Sequence, residues 1–393
     1  MARLSSRSLD PLQQARVLLG GLSPTQFMRR HWQRKPLLIR QAWPQVQPPA
    51  ERRVLFDLCA GDDVESRLVE QRAGAWRLRH GPFQRRQLPP LGRPGWTLLV
   101  QGLDLHLEAA HQMLRAFDFI AQARLDDLML SYASDGGGVG PHVDSYDVFL
   151  LQVQGRRRWR IAPPGPASFV PGLPLRILAE FKAQQEWVLE PGDLLYLPPG
   201  WGHEGVALGG DCMTASIGFR SPTGGELGAA LLQGMAEELL EDSTGHRGAW
   251  GRRYADPGLA ATVQTGAIPA SLRAFASASL RRAMTDEQAL VQALGRWLTE
   301  PKAQVWFEPQ AARLPAGQGV VLDRRTRMAH DRGQLFINGE AFRVAGADGR
   351  LMRRLADQRR LDGRAWAQLS DQAQAAALEW LAAGWLHADQ CRP

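Results

Sequence analysis

The 393-residue sequence predicts an α+β chain: a jelly-roll barrel first, then a helical region, then a winged-helix-like unit. Three observations lead there. Between Val148 and Phe219, short apolar runs alternate with Gly- and Pro-containing turns, the punctuation of a barrel or two-sheet jelly roll. Beyond Pro222 the apolar spacing lengthens to the helical period. Past residue 304, Asn338-Gly339 lies between two apolar runs, a strong hairpin signal, and helical patterns come after it over Leu351–Gln358 and Asp371–Trp385. The expected units are 1–222, 223–303 and 304–393.

Taken in order, Ser23-Pro24-Thr25 opens a helix carrying Phe27, Met28 and Trp32, and Pro36 closes it before a strand over Leu37–Ile39. Trp76–Leu78 and Trp96–Val100 read as strands that enlarge the barrel's sheets. Leu105–Ile120 reads as a helix with Leu107, Ala110, Leu114 and Phe117 on one stripe. The strand Arg124–Ser134 puts Met129, Ser131 and Ala133 on one face, so Ser131 can look into a polar interior, with Asp126 and Asp127 at the strand's entrance. Gly136–Gly140 precedes a strand rather than a helix, so it lacks the helix N-terminus of a phosphate cradle and reads as flexible backbone at a site's rim.

The chemistry concentrates next. His142, Asp144 and His203 offer two imidazoles and one carboxylate, the ligand set that holds Fe(II) on one face and leaves other coordination positions open. On a strand, residues i and i+2 point to one side, so His142 and Asp144 reach one metal if Gly140-Pro141 opens a strand. His203, at the end of the loop Pro198–Gly202, must then come from a neighbouring strand. Val148–Val153 reads as a buried strand, Gln154-Gly155 as a tight turn and Arg156–Ile161 as the returning strand. Within it Arg157 points opposite to Arg156 and Arg158, so one arginine goes inward while two stay outside. Glu190-Pro191-Gly192-Asp193 is a turn before the strand Leu194–Leu197. Asp211–Arg220 is the last barrel strand, with Thr214 and Ser216 on its pocket side; Ser216 reads equally as a satisfied core hydroxyl.

After Pro222, Glu226–Glu241 is helical with Leu227, Leu231, Met235 and Leu239 on one side, Thr244–Ile268 is loop-rich, and Thr285 with Gln288 forms a capping box opening a helix to Leu298. These stripes must pack on something, either a second copy of the chain or a surface of the same chain. The final helical stretch, QAQAAALEWLAAGW, is too apolar to read phosphates or bases, so no direct DNA binding is expected.

Composition bounds the rest. Hydrophobic content of 44% with 22% charged residues describes an ordinary globular chain. The net charge is +7 and Lys occurs only at 35, 182 and 302, so nearly all the positive charge is arginine, compatible with a partner rich in nucleic acid. Cys59, Cys212 and Cys391 show no close spacing, which argues against a disulfide framework or zinc knuckle. The basic N-terminus lacks a sustained apolar run, and no stretch approaches the roughly 18 apolar residues of a membrane span, so a cytoplasmic location and no membrane partner are expected.

The segments GGGVGPHVDSYDVF, GRRRWRI and EPGDLLYLPPGWGHEG resemble the JmjC/cupin class of Fe(II) and 2-oxoglutarate dependent oxygenases, and most closely the bacterial ribosomal oxygenase group of the YcfD or RoxA type. The resemblance extends to Phe27–Arg40 and Val64–Val69 and fades after Arg220. It implies a double-stranded β-helix (jelly roll), with His142, Asp144 and His203 as catalytic Fe(II) ligands. Arg157 would pair with the distal carboxylate of 2-oxoglutarate, where many relatives carry Lys, and Ser131 would add a hydroxyl. The implied reaction uses O2, releases succinate and CO2, and hydroxylates Cβ of an arginine in ribosomal protein L-sixteen, in a homodimer formed through the helical region. An arginyl substrate needs an anionic partner near the metal. Strand alternation would select Asp127, Asp147 is a further option, and the resemblance favours Asp126, with Ser216 across the pocket. A non-catalytic JmjC-like protein-binding scaffold and a demethylase of the same chemistry are the alternatives, the latter told by formaldehyde release.

Overall fold

Two long strands organise the first half of the chain in the computed structural model, which describes residues 11–244, 253–262 and 264–389. Cys391 and part of the expected loop-rich stretch lie outside these residues. In chain order the elements are α1 (Pro11–Leu18), α2 (Pro24–Arg30), β1 (Leu37–Ile39), α3 (Arg52–Leu58), β2 (Ser66–Arg72), β3 (Ala75–His80), β4 (Trp96–Val100), α4 (Leu103–His106), α5 (Glu108–Arg115), β5 (Leu125–Ala133), β6 (His142–Val143), β7 (Asp147–Ala162), β8 (Gln185–Leu189), β9 (Leu194–Leu197) and β10 (Gly202–Phe219).

All ten strands belong to one antiparallel sheet, folded into two layers by β7 and β10. The first half of β7 pairs with β9 and with the second half of β10, which continues through β5, β4 and β2 to β3 at the edge. The second half of β7 pairs with β8 and with the first half of β10, against which β6 also lies. This is the jelly-roll architecture expected, with one correction. Gln154-Gly155 is not a turn between two strands, because β7 runs unbroken for 16 residues through it.

What the sequence offers at Gly155 is a bend. Gly155 has φ +66°, and β10 slips register between Leu208 and Met213, so the extra residues leave as a bulge while pairing resumes on either side. From Leu208 to Met213 β10 advances five residues against two on β7, and from Met213 to Thr214 β7 advances two against one, an odd excess on β7 that inverts its alternation of faces. Val148 and Leu150 before it therefore share a buried cluster with Trp159 and Ile161 after it, inside the barrel, whereas Phe149, Leu151 and Val153 face outward. The outward set packs under Phe27, Trp32, Leu114 and Phe117, which is why the N-terminal helices cover that layer. Ser23 caps α2 through the backbone N–H of Gln26, whose side chain accepts from Ser23 N, as the sequence predicts. The helix expected over Leu105–Ile120 is instead α4 and α5, interrupted at the extended residue Leu107 and finished by Arg115.

The chain parts into two compact units between Pro222 and Thr223. The second comprises α6 (Gly224–Thr244), α7 (Ala270–Met284), α8 (Glu287–Thr299), β11 (Val320–Leu322), β12 (Met328–Asp331), β13 (Gln334–Ile337), β14 (Glu340–Arg343), α9 (Gly346–Gln358), β15 (Arg360–Leu361), α10 (Gly363–Trp366), α11 (Asp371–Ala382) and β16 (Leu386–Ala388). The β13–β14 hairpin turns at Asn338-Gly339 as expected. Trp380 and Leu381 of α11 join Leu355, Leu335 and Ile337 in the core, so that helix spends its apolar residues internally.

Two readings of the helical region change. Asp286, not Thr285, caps α8, accepting from the N–H groups of Gln288 and Ala289, while Thr285 ends α7, a helix that the sequence pattern does not announce. Met235 of the expected α6 stripe is buried and Gly234 meets Ala293 of α8, so this face packs within the unit. Because α8 also packs on β12–β14, the stretch 223–303 shares its packing with the strands of 304–393.

Gly155 tests the bend. A Cβ there would lie 3.0 Å from both Asp211 O and Cys212 Cα in a left-handed conformation. Gly155→Val is expected to cost about 1–3 kcal/mol, read as a lower urea midpoint; an unchanged midpoint would show that the bulge does not depend on glycine.

Candidate metal centre

β6 lies antiparallel to the start of β10 with His142 directly opposite His203, so the two imidazoles come from adjacent strands with ring centroids 4.2 Å apart. The chain turns after β6, and the Gly200 N–H donates to the backbone carbonyl of Asp144 at 2.8 Å, holding the Asp144 main chain under the same end of the barrel. One donor atom from each of His142, Asp144 and His203 lies within 4.8 Å of the others. Among the described residues this is the one such cluster of His, Cys, Asp and Glu.

The orientation of each ring is set from behind. Nδ1 of His142 lies 2.9 Å from Gly140 O and Nδ1 of His203 lies 3.0 Å from Trp201 O. A carbonyl only accepts, so each Nδ1 carries the proton and each Nε2 presents a lone pair, the tautomer a metal requires. Asp144 Oδ2 sits 3.4 Å from His203 Nε2 and Oδ1 3.9 Å from His142 Nε2. Burial and the neighbouring His203 pull His142 down to about 4. Burial opposes His203 too, but the Asp144 carboxylate raises it; burial alone would raise Asp144, and the His203 ring holds it down at about 2. Two imidazole nitrogens beside an ionised carboxylate, with the proton that Asp144 favours on His203 displaced on binding, fit a divalent first-row transition metal.

Arg157 lies on the inner face of β7, 4% exposed, while Arg156 is exposed. Its Nε and Nη2 are buried without a hydrogen-bond partner, an arrangement whose cost an anionic ligand would remove. Trp159 lies between it and the metal cluster, its ring centroid 5.8 Å from the guanidinium and 5.9 Å from the His203 ring. Ser131 is buried, but its Oγ donates to Thr214 O at 3.2 Å, so it meets a ligand only by rotating that hydroxyl away. Ala133, two residues on, packs with Ala207, the residue opposite Arg157, and small side chains line the interior between them.

The two aspartates at the start of β5 separate cleanly. Asp127 is buried and accepts from the Gly102 N–H at 3.1 Å, beneath the start of α4. Asp126 accepts from Arg220 Nε at 3.2 Å on the other face. Strict alternation points to Asp127, and it fails because of a bulge. Ile217 pairs with Leu128 but Phe219 with Leu125, so two steps on β10 face three on β5. Asp126 thereby joins the face of Gly218 and Ser216: a Cβ on Gly218 would lie 3.8 Å from Asp126 Cβ and 3.7 Å from the Tyr146 ring. Asp147 is removed from the site altogether, buried against Tyr196 Oη, Gln33 Nε2 and Arg124.

Sequence reasoning missed Tyr146. It is among the groups that hold the Asp144 carboxyl down, and its ring and Asp126 both border Gly218, so it lies between the metal cluster and the Ser216 face. The link between β6 and β7 has no regular alternation from which to infer this. The glycines before His142 are also not loose. Gly136 N donates to Ala207 O and Gly137 O accepts from Ala207 N, and a Cβ on Gly138 would meet Gly205 O at 2.5 Å.

A bent double-layered β-barrel with a two-histidine, one-carboxylate cluster at one end defines a cupin-type metal barrel. Comparison with known proteins is more specific. A JmjC domain model matches residues 112–227 and a ROXA-like winged-helix model matches 282–387. The chain is 39% identical over 232 residues to ribosomal protein uL16 3-hydroxylase of Escherichia coli strain K12, covering 59% of this chain and 59% of that protein. It is 36% identical over 221 residues to a probable ribosomal oxygenase of Haemophilus influenzae, covering 55% and 54%. These alignments thus span somewhat more than half of each curated relative. A solved structure of Escherichia coli YcfD superposes with TM-score 0.81 at 28% identity, over 94% of this chain and 98% of that one. The YcfD structure in complex with cobalt and 2-oxoglutarate gives 0.78 at 27% over the same shares. Residues 112–227 thus match a JmjC domain and residues 282–387 a ROXA-like winged helix, the pairing of the two being what this chain shares with those relatives' class.

The division between the aspartates can be measured. Asp127→Ala leaves a buried N–H unpaired and is expected to lose about 1–3 kcal/mol of stability. Asp126→Ala breaks a partly exposed ion pair and is expected to lose less than about 1 kcal/mol. Equal losses in chemical denaturation would overturn the assignment of faces.

Proposed function

We propose that this chain is an Fe(II) and 2-oxoglutarate dependent protein hydroxylase that acts at Cβ of an arginine side chain in ribosomal protein uL16. The observation that carries the reading is the pairing, at one end of the barrel, of the His142, Asp144 and His203 cluster with a buried guanidinium whose Nε and Nη2 have no partner. The activity for which the Escherichia coli relative is named supports the substrate, and the cobalt and 2-oxoglutarate complex of YcfD supports the cofactor pair.

In this reading His142 Nε2, His203 Nε2 and an Asp144 oxygen hold Fe(II). When bound, the metal supplies the coupling of O2 and 2-oxoglutarate, which leaves as succinate and CO2, to hydroxylation of an unactivated C–H bond. The protein's part is position and protection. Arg157 forks the distal carboxylate of the co-substrate, a bidentate geometry that lysine cannot match. Its buried position means this ion pair forms away from water, with Trp159 covering the space toward His203. Asp126 receives the substrate guanidinium, Ser216 adds a hydrogen bond from the same face, and Tyr146 packs between this pocket and Asp144, fixing the distance from guanidinium to metal.

Mass spectrometry of a uL16-derived arginine peptide, incubated with the protein, Fe(II), 2-oxoglutarate and O2, is expected to show one added oxygen on arginine. Asp144→Ala should abolish succinate formation. Arg157→Ala should raise the 2-oxoglutarate requirement by about tenfold or more, against little change for Arg156→Ala. Full turnover in Asp144→Ala, or equal effects at 156 and 157, would refute the assignment, and formaldehyde release from an N-methylated peptide would favour demethylation.

The homodimer is part of the proposal. Leu272, Leu280 and Met284 of α7 are exposed, as are Leu232 and Leu240 of α6, leaving apolar area that the unit itself does not cover. Sedimentation should show a dimer that Leu272→Lys/Leu280→Lys converts to monomer; a wild-type monomer at micromolar concentration would end this reading. A cytoplasmic location and the absence of DNA binding complete it, the latter supported by the burial of α11's apolar residues.

A further inference from the structure

Almost all of the chain's net charge can be traced to one short segment. Between Gln71 and Leu103 the sequence has six arginines, at 72, 77, 79, 85, 86 and 93, no lysine and no carboxylate, against a net charge of +7 for all 393 residues. The segment contains β3, the edge of the ten-stranded sheet, and the 3-10 turn Arg85–Gln87 beside it.

The fold gathers this charge on one face. On the β2–β3 hairpin, Arg72 lies opposite Ala75, Glu70 opposite Arg77 and Leu68 opposite Arg79, so these pairs share one side of the ribbon. Arg79 donates to Gln87 O, which joins the strand to the turn carrying Arg85 and Arg86. Glu70, almost buried, is the carboxylate within this face, and it is shared by Arg79 and Arg93 at 3.5 and 3.1 Å. Arg72, Arg77, Arg85 and Arg86 are exposed and form no ion pair among the described residues. Arg85 lies over the Phe56 ring, 4.9 Å from its centroid, which holds the side chain in place while its guanidinium stays in contact with solvent.

An edge strand gains protection from aggregation when it carries charge, but a few charges suffice for that. Four unpaired guanidiniums on one ribbon and its adjoining turn, all planar forks suited to phosphate oxygens, exceed that need. We propose that this face docks on the phosphodiester backbone of a structured RNA, so that the protein meets its substrate within an RNA-bearing particle. The docking itself is independent of the hydroxylase reading; only the second clause rests on it. The other face of the same hairpin reaches the metal centre's approach, because a Cβ on Gly140 would lie 3.1 Å from the Trp76 ring. A docked RNA would therefore set the orientation in which a protein segment reaches His142.

The test is fluorescence anisotropy of a labelled stem-loop RNA with the full-length protein across a potassium chloride series. The expected result is salt-dependent binding. Arg72→Gln/Arg77→Gln/Arg85→Gln/Arg86→Gln should lose at least about tenfold in affinity, with a log–log salt slope shallower by about 3. Circular dichroism checks the fold. Should the fourfold variant fail to fold, Arg72→Gln/Arg77→Gln gives the same reading with a smaller loss. No RNA binding by the wild type, or unchanged binding in the variants, overturns the proposal. Polyglutamate or phosphatidylglycerol vesicles bound as tightly as RNA would overturn it as well, showing a general anion surface. Hydroxylation of the free arginine peptide is read separately and should be unchanged in the variants. Its failure in the wild type counts against the hydroxylase reading alone.

Discussion

The continuous pairing of β7 with β10 is the constraint on which the first unit depends. These are its longest strands, and each serves two layers because both bend at the same place, β7 at Gly155 and β10 across the Leu208–Met213 slip. On one side of the bend the pair builds the wall that the N-terminal helices cover. On the other it brings His203 and Arg157 to the interior, with β6 laid alongside to deliver His142. Metal cluster and guanidinium are thus positioned by one hydrogen-bonded ladder. Preorganisation of that kind holds the donor atoms in place before any ligand arrives.

Much of the site was legible because its residues obey strand alternation over short distances. The i, i+2 spacing of His142 and Asp144 and the inward turn of Arg157 come from a period of two, and the proline-glycine loop before His203 announces a new strand. What alternation could not supply was the effect of bulges. A bulge near the start of β5 moved Asp126, not Asp127, onto the face of Ser216, and the bend at Gly155 joined what reads as two strands. Both depend on the register of a partner strand distant in sequence, which local pattern does not encode.

The second unit illustrates a different limit. The periodicity of α6 correctly marked a helix with a stripe, but not what the stripe meets: Met235 is covered from within the unit, while Leu232 and Leu240 are exposed. α7 escapes a pattern search because its large apolar residues are few among alanines and none becomes buried, leaving no strong amphipathic signal. The hairpin at Asn338-Gly339 was readable because turn chemistry there is local, with Asn338 and Gly339 both at positive φ.

The pairing of Asp126 with Arg220 carries a consequence for selectivity. On the proposed reading, the carboxylate that would receive the substrate already holds a guanidinium belonging to the protein itself, one that is partly exposed. An incoming arginine of the proposed substrate would then replace like with like. No carboxylate would have to be stripped of its counter-charge before that ligand arrived, and a displaced Arg220 would regain water as the newcomer lost it. Lysine would have to make the same exchange with a compact ammonium in a seat already shaped around a planar fork, and glutamine would leave the carboxylate without a compensating charge. Under the proposed function, the resident side chain would be a stand-in that keeps the seat shaped for its replacement.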